Sequence, residues 1–258
     1  MNDQRALLAI AERAARMAAP LLLDAFGSSP AALRTKSSPT DPVSEADEAS
    51  ERAIRSLLAR LRPDDGVLGE EGREARGSSG LRWVVDPLDG TVNFVFGIPA
   101  WCVSVACEDD HGPLAGVVLD PNRGELFGAT RDGDATVDGR PIHGSHSEQL
   151  ALSLVATGFS YDSELRALQA EVAGRVLPRA RDLRRFGAAA LDLAWAACGR
   201  VDAYYERGLK PWDWAAGGLI CERAGLVVRE LEPAGGLPNG LLAAPPAIVD
   251  ELAALVAG

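Results

Sequence analysis

Positive charge is scarce in this sequence. Its 258 residues include 26 Lys and Arg against 37 Asp and Glu, which gives a formal net charge of −11. Such a surface repels nucleic acid and anionic membrane surfaces, so we expect neither as a partner. An anionic substrate would have to meet positive charge supplied locally, and a bound metal ion is one source of it.

Cysteine and long apolar runs are scarce too. The four cysteines, Cys102, Cys107, Cys198 and Cys221, match neither zinc-ribbon nor CxxC spacing, so we expect reduced thiols in the core. The longest uncharged run, 233–249, contains four prolines and three glycines, which excludes a membrane span there. The N-terminal residues mix charges with Ala and Leu, unlike a signal peptide. We therefore expect a cytoplasmic protein.

The first half of the chain combines helical periodicity with short strand-like runs. Apolar residues repeat at helical spacing from Leu7 to Leu21, and Pro20 should bend or interrupt that helix. A second amphipathic helix is predicted over 44–61, after a polar stretch at 27–41 that should form a mobile loop. β-rich runs follow at 83–85, 102–106 and 116–119, spaced as in an antiparallel or mixed sheet.

Strand-like and helical segments alternate in the second half, which is typical of an α/β arrangement. Strand-like runs lie at 152–156, 203–205 and 226–228, and helical runs at 163–177, 188–198, 213–224 and after Pro246. No internal repeat and no long Pro, Gly or Ser linker divides the sequence. We therefore predict one continuous globular unit, with an N-terminal α+β lobe over 1–145 and a C-terminal α/β lobe over 146–258.

The segment Trp83–Phe94 places two carboxylates at the end of an apolar strand. Asp86 ends the strand, Pro87 turns the chain, and Asp89 follows just before Gly90. Mg²⁺ binds one or two carboxylates and shares the rest of its shell with water and phosphate oxygens, so the pair suits a magnesium phosphate site. A β-turn uses the same residue types, and the spacing alone favours that simpler interpretation.

Three further acidic segments could contribute to such a site, but each also has a simpler structural explanation. Glu70 and Glu71 follow a short apolar pair and by themselves suggest a solvated loop. Asp213 begins a helix of small residues, where an acid is also expected as an N-cap or first-turn residue. Asp47 follows Ser44 in a pattern that fits a capping box.

Taken together, these segments resemble the inositol monophosphatase family of lithium-sensitive, magnesium-dependent phosphatases. The segment Asp86–Phe94 (DPLDGTVNF) is similar to the family's first signature, and Trp212–Gly217 (WDWAAG) is similar to its second. Supporting similarities lie at 40–47, 69–71 and 202–206, so the resemblance covers nearly the whole sequence. It implies an α/β fold, layered as an α-β-α-β-α sandwich, and a homodimer.

The resemblance also implies the metal ligands. One Mg²⁺ would be held by Glu70, Asp86 and the backbone carbonyl of Leu88. A second would be held by Asp86, Asp89 and Asp213, and a weaker third would lie near Glu70. Four clustered acids repel one another and a phosphate dianion, so such a site requires cations.

Catalytic and substrate-binding roles are implied in the same way. Thr91, paired with Asp47, would orient the attacking water, and Glu70 would act beside them. The backbone N–H groups of Gly90 and Thr91 would bind phosphate. Contacts to the substrate are implied for Asp89, Gly90, Thr91, Ala189, Glu206 and Asp213.

The implied reaction is hydrolysis of a small phosphate monoester by metal-activated water. Asn93-Phe94 and the run Tyr204-Tyr205-Glu206 favour inositol monophosphates as substrates. One alternative is a sibling phosphatase acting on histidinol phosphate, fructose bisphosphate or adenosine bisphosphate. Another is a non-catalytic, partner-binding regulator, against which the complete set of acids counts.

Three remaining features concern the edges of the site. The histidines, at 111, 143 and 146, fall in polar loop stretches, so we expect no histidine nucleophile. The polar stretch 34–41 is predicted to be a mobile flap that metal or substrate orders. Lys210 precedes the second signature and has two open interpretations, a phosphate contact or a solvated side chain.

Overall fold

The computed structural model describes residues 3–27 and 45–258 in full, together with the backbone of 34–35 and 42–43. Seven helices lie within these ranges: α1 (Gln4–Ala25), α2 (Glu45–Leu61), α3 (Thr91–Val95), α4 (Ser163–Val176), α5 (Ala189–Ala197), α6 (Pro211–Arg223) and α7 (Val249–Val256). A short antiparallel pair, β1 (Arg34–Thr35) and β2 (Pro42–Val43), joins the first two helices.

The larger sheet has seven strands in sequence order. They are β3 (Gly66–Gly69), β4 (Arg82–Asp89), β5 (Cys102–Asp109), β6 (Gly112–Asp120), β7 (Glu125–Thr130), β8 (Thr136–Val137) and β9 (Arg140–Pro141). Strands β3 and β4 are parallel, and every later pair is antiparallel. The predicted mixed sheet is therefore present.

The smaller sheet has five strands in the order β11-β10-β12-β14-β13. They are β10 (Leu154–Thr157), β11 (Asp182–Arg184), β12 (Ala203–Arg207), β13 (Val227–Leu231) and β14 (Gly240–Ala244). Strand β10 is parallel to both of its neighbours, while β14 is antiparallel to β12 and β13. The predicted strand at 152–156 begins later than expected, because Leu150–Leu152 forms a 3₁₀ turn.

Three apolar cores separate five layers. The first core lies between the helices α1 and α2 and one face of the larger sheet. The second lies between the two sheets and encloses α5 and α6, and the third lies between the smaller sheet and the helices α4 and α7. This α-β-α-β-α order confirms the predicted layered α/β sandwich.

Pro20 was predicted to bend or interrupt helix α1, and the helix continues through it, so the predicted interruption was wrong. The helix starts at Asp3, whose side chain accepts hydrogen bonds from the N–H groups of Arg5 and Ala6. Pro20 lies on the exposed face, where water can satisfy the carbonyl that loses its partner. The opposite, buried face of the helix packs against the sheet and stabilises the helix as a whole.

Small residues set the close packing of α6 against the larger sheet. A Cβ atom at Gly116, on β6, would lie 2.8 Å from the Cα of Ala216. On its other side, a Cβ at Gly217 would lie 2.7 Å from the Cβ of Leu193 on α5. Both distances are shorter than real Cβ contacts allow, so glycine is required at these positions for the middle layer to fit between its neighbours.

The cysteine prediction is confirmed: Cys102, Cys107 and Cys221 are buried, Cys198 is partly buried, and all are free. Across the part of the chain that the structure describes, no helix has both the length and the apolar character needed to cross a membrane. The flap prediction concerns 34–41, and residues 36–41 lie outside the described residues.

Candidate active site

A cavity of about 440 Å³ opens where the carboxyl ends of β4 and β12 approach each other. Its wall contains Glu70, the end of β4, the start of α3, the loops after β10 and before α5, and the connection 206–213 that leads into α6. Strands from both sheets and helices from the middle layer therefore meet at this one place. Ligands of layered α/β proteins commonly bind at such strand ends.

The end of β4 is irregular, and the irregularity brings two acids to the same cavity. Residues three apart on a regular strand point to opposite faces. The register between β4 and β5 shifts between Asp86 and Asp89, and this bulge turns both carboxylates toward the cavity. Asp86 is 2% exposed, and its Oδ1 accepts a hydrogen bond from the N–H of Leu88 at 3.0 Å.

Asp89 also connects the larger sheet to the middle layer. Its Oδ1 accepts from the N–H of Ala189 at 3.1 Å and its Oδ2 accepts from the N–H of Ala190 at 2.7 Å, both at the start of α5. These N–H groups have no partner within the helix, and the helix dipole favours an anion there. Burial nevertheless raises the pKa of Asp89 to about 6, although the α5 hydrogen bonds oppose the shift.

Asp213 has a structural role as well as a place in the cavity wall. It occupies the third position of α6, and its Oδ2 accepts from the N–H of Lys210 at 2.6 Å, as in a capping box. The cap fixes the direction of the side chain, which lines the cavity. Burial is the main reason why its pKa lies well above the usual range, and Asp89 and Glu70 raise it further.

Each carboxyl group of the cavity makes ionisation of its neighbours less favourable. Burial raises the pKa of Asp86 well above the usual range, and the neighbouring charges of Glu70, Asp89 and Asp213 raise it further. A hydrogen bond to the Glu70 side chain contributes to the same rise in the pKa of Asp86. A divalent cation between the carboxyl groups would relieve their repulsion.

The donor set suits a hard divalent cation by its chemistry. Mg²⁺ takes oxygen ligands and binds to one or two carboxylates, with water and phosphate oxygens completing its shell. Within residues 3–27 and 45–258, no ready-made group of three His, Cys, Asp or Glu ligands is found. The oxygens of Glu70, Asp86, Asp89 and Asp213 border one cavity and fit Mg²⁺ by their chemistry.

The turn after Asp89 is shaped by a glycine. Gly90 has φ 93°, and a Cβ at this position would lie 3.0 Å from the carbonyl oxygen of Ala100, so both conformation and space require glycine. Thr91 follows as the first residue of α3, and its Oγ1 donates to the carbonyl of Leu88 at 3.1 Å. Asn93 fixes the turn from behind by donating to the carbonyl oxygen of Ala100.

Strand β12 contributes the acid on the opposite wall. Glu206 lies in the cavity wall, and its Oε2 accepts a hydrogen bond from the hydroxyl of Tyr204 at 2.8 Å. Burial raises its pKa to about 7, while the Tyr204 hydrogen bond and the charge of Arg185 lower it. Glu206 thus has a hydroxyl donor, whereas the side-chain donor of Asp89 is the weaker thiol of Cys102 at 3.5 Å.

The Inositol monophosphatase family model matches residues 3–257. The chain belongs to the inositol monophosphatase family. The Mycobacterium tuberculosis protein named inositol-1-monophosphatase SuhB is 43% identical, over 98% of this chain and 94% of that protein. The Escherichia coli protein named Nus factor SuhB is 36% identical, over 96% of this chain and 94% of that protein.

Solved structures agree with this assignment. The extragenic suppressor protein SuhB from Bartonella henselae superimposes with a TM-score of 0.89 at 34% identity, covering 97% of this chain and 98% of that one. The inositol monophosphatase from Anabaena superimposes with a TM-score of 0.83 at 34% identity, covering 98% and 95%. The family resemblance inferred from the two signatures is thus confirmed.

This member of the inositol monophosphatase family brings nearly all of the predicted site residues to one cavity. The residues that line it are Glu70, Asp86, Leu88, Asp89, Gly90, Thr91, Ala189, Glu206 and Asp213. Asp47 is the exception, since it is buried in the first turn of α2 and is not part of the wall. Ser50, one turn later on the same helix, donates to the carbonyl of Pro87, so α2 packs directly behind the β4 turn.

Sequence reasoning missed several lining residues that come from loops. Gly158 and its neighbours follow β10, and Arg185 follows β11, in segments with no motif character. Arg185 and Lys210 line the cavity as exposed cations, and the buried Arg207 lines it too. The pair Arg184-Arg185 in so acidic a chain was the available signal.

Proposed function

We propose that this protein is a Mg²⁺-dependent hydrolase of small phosphate monoesters, with inositol monophosphates as substrates. The observation that carries the proposal is the acid set at the end of β4, where buried carboxyl groups raise one another's pKa inside a cavity of substrate size. Acidic groups whose pKa values are shifted by burial and by neighbouring charges are common at functional sites. Membership of the family supports this reaction class.

The acids would hold the ions. Glu70, Asp86 and the carbonyl of Leu88 are proposed for one Mg²⁺, and Asp86, Asp89 and Asp213 for a second, with a weaker third near Glu70. When bound, the ions lower the pKa of a water molecule and neutralise the phosphate charge that develops during hydrolysis. No covalent intermediate with the protein is required.

The turn at Gly90 would position the reactants. Gly90 and Thr91 line the cavity, with Gly90 in the left-handed conformation, and their N–H groups are proposed to bind phosphate oxygens. The Thr91 hydroxyl, fixed by its bond to Leu88, can accept a hydrogen bond from water. Asp47, behind the turn, is proposed to support Thr91 in this role, and Glu70 to act on the same water.

The opposite wall would recognise the alcohol part of the substrate. Glu206 can accept hydrogen bonds from hydroxyl groups, and Ala189 and Asp89 border the same space. Lys210 and Arg185 are the exposed cations of the wall, which also contains the buried Arg207, and they would attract a phosphorylated substrate toward it.

A partner-binding role is the second candidate, and the names of relatives favour considering it. The family includes relatives named Nus factor SuhB at 36% identity over nearly the whole chain. A regulator of this kind would keep the fold and would not need turnover. Sibling phosphatase substrates, namely histidinol phosphate, fructose bisphosphate and adenosine bisphosphate, are the alternatives within the same chemistry.

A phosphate-release screen of the purified protein separates these possibilities. Release from inositol monophosphates with Mg²⁺, and none with EDTA, supports the proposal, while preference for another phosphate ester selects a sibling activity. The matched control is Asp134→Asn, which removes an exposed acid outside the cavity and should leave release unchanged. The absence of release from every substrate would leave the regulator as the better explanation.

We also propose how the chain is organised, how it assembles and where it is located. The lobes 1–145 and 146–258 are proposed to fold as one unit, because Asp89 of the first bonds to α5 of the second. A homodimer, a cytoplasmic location and the lack of a nucleic-acid partner are also proposed, on the grounds of the family resemblance and the acidic composition. Sedimentation of the purified protein tests the dimer.

A further inference from the structure

Tyr204 and Glu206 lie on the same face of β12, because alternate residues of a strand point the same way. Tyr204 is fully buried in the core between the two sheets, and its hydroxyl donates to Oε2 of Glu206 at 2.8 Å. The ring cannot turn away without disturbing that core. The hydroxyl therefore holds one carboxylate oxygen at a fixed place in the cavity wall.

Gly158 confines the same carboxylate from the other side. A Cβ atom at this position would overlap the Glu206 carboxylate, so the side chain fills the space that the missing Cβ leaves. The φ angle of Gly158 is not in the left-handed region, so glycine is needed there for space and not for its conformation. The carboxylate of Glu206 is thus fixed by the Tyr204 hydroxyl and by its close contact with the Gly158 backbone.

We propose that Tyr204 is a positioning residue that, with Gly158, sets Glu206 to accept hydrogen bonds from the substrate's hydroxyl groups. The inference rests on the proposed function for the identity of the substrate, a phosphorylated polyol. Oε2 is engaged by Tyr204, and Oε1 remains for the ligand. Holding the carboxylate in advance avoids the loss of side-chain freedom on binding.

The charges around Glu206 explain why the donor is needed. Burial makes the charged form costly, and the acids on neighbouring elements oppose it further. The groups that act on Glu206 are Tyr204 on β12, Asp89 on β4, Asp192 on α5, Asp213 on α6 and Arg185 before α5. The hydroxyl of Tyr204 stays protonated, since burial and Glu206 raise its pKa well above the usual range.

Tyr204→Phe tests the proposal, and Tyr205→Phe is the matched control. Tyr205 is the next residue of β12 and points into the outer core instead of the cavity. For Tyr204→Phe we expect kcat/KM on inositol monophosphate to fall at least about tenfold more than on p-nitrophenyl phosphate, mainly through KM. The acid limb of the pH profile should move to higher pH, because the carboxylate loses a donor.

Two outcomes would overturn the inference. One is an equal loss on both substrates, and the other is the same selective loss in Tyr205→Phe. If Tyr204→Phe does not fold, Gly158→Ala displaces the carboxylate from the other side and should give the same substrate-selective loss. An Ala variant with unchanged selectivity also contradicts the proposal.

A measurement without substrate separates this inference from the proposed function. Carbon-13 NMR of labelled glutamate carboxyl groups, with Glu206→Gln for assignment, follows the titration of Glu206 directly. Its pKa should rise in Tyr204→Phe and stay unchanged in Tyr205→Phe. A rise in a protein that hydrolyses no inositol phosphate would retain the positioning role and reject the proposed substrate, whereas an unchanged pKa would reject the positioning role.

Discussion

At the two ends of strand β4, the pKa of a buried acid is shifted in opposite directions. Beside its first residues, Asp65 accepts hydrogen bonds from Nε of Arg62 at 2.8 Å, from Oγ of Ser79 at 2.7 Å and from Nε1 of Trp83 at 2.9 Å. Burial alone would raise the pKa of Asp65, but these three donors outweigh it and the pKa is lowered. At the far end of the strand, the pKa of Asp86 is raised.

The difference shows how to distinguish a buried acid that stabilises the fold from one that serves a ligand. A buried charge needs hydrogen-bond donors, and three neighbouring side chains supply them for Asp65. Asp86 has one backbone donor and three acidic neighbours, so its surroundings favour a cation that the chain does not contain. Glu206 lies between these cases, with one donor of its own.

Asp86→Asn should give the largest effect, because it removes a proposed ligand of both ions. We expect Mg²⁺-dependent phosphate release to fall about a hundredfold or more, since an ion in such a site supplies several kcal/mol to the transition state. The free energy of unfolding in EDTA should stay the same or rise, because repulsion is relieved. Near-normal release at saturating Mg²⁺ would reject the metal assignment.

Glu206→Gln should give the next largest effect, on the wall that contains a donor. A charge-assisted hydrogen bond is worth roughly 1.5–3 kcal/mol. We therefore expect kcat/KM on inositol monophosphate to fall by roughly ten- to a hundredfold, while p-nitrophenyl phosphate hydrolysis changes little. Equal losses on both substrates would show that Glu206 supports the site in general.

Asp65→Asn should reduce stability by about 1–3 kcal/mol at neutral pH and leave the cavity unchanged. Since the folded-state pKa of Asp65 is lowered, its contribution is present above the unfolded pKa and is lost as the pH falls through the folded value. The variant and the wild type should therefore converge in acid. Urea unfolding at neutral pH and at about pH 3 measures the difference, and a constant gap would contradict the role of the charge.

Asp192→Asn should give the smallest effect and should increase the free energy of unfolding, whereas Asp65→Asn reduces it. Both carboxyl oxygens of Asp192 are buried without a hydrogen-bond partner in the described structure, and burial raises its pKa well above the usual range. The wild type therefore loses stability as the pH rises above the unfolded value, whereas the amide does not titrate. We expect a gain of about 1 kcal/mol that grows with pH. Urea unfolding of both proteins across neutral to alkaline pH measures it.

The sequence predicted what depends on neighbours along the chain. Helical and strand patterns predicted the order of the main elements, the family resemblance implied the layered fold, and the acid motifs identified the residues near β4. It could not show the bulge between Asp86 and Asp89, because regular spacing places these residues on opposite faces. The continuity of α1 through Pro20 was also hidden, since it depends on which face meets water.

Features that depend on the approach of distant segments could not be predicted. Gly158 and Glu206 are far apart in sequence, and only the pairing of β10 with β12 brings them together. Strand β14 was missed because its short apolar run lies among prolines and glycines that suggest a loop.

The close approach of β6 and α6 at Gly116 has a consequence for evolution within this fold. A single methyl group there would push α6 from the sheet, and Asp213 at the start of that helix would move with it. The distance between the two sides of the cavity is thus determined by residues that contact no ligand. Selection for larger or smaller substrates can therefore act on the middle layer while every residue in the cavity wall keeps its identity.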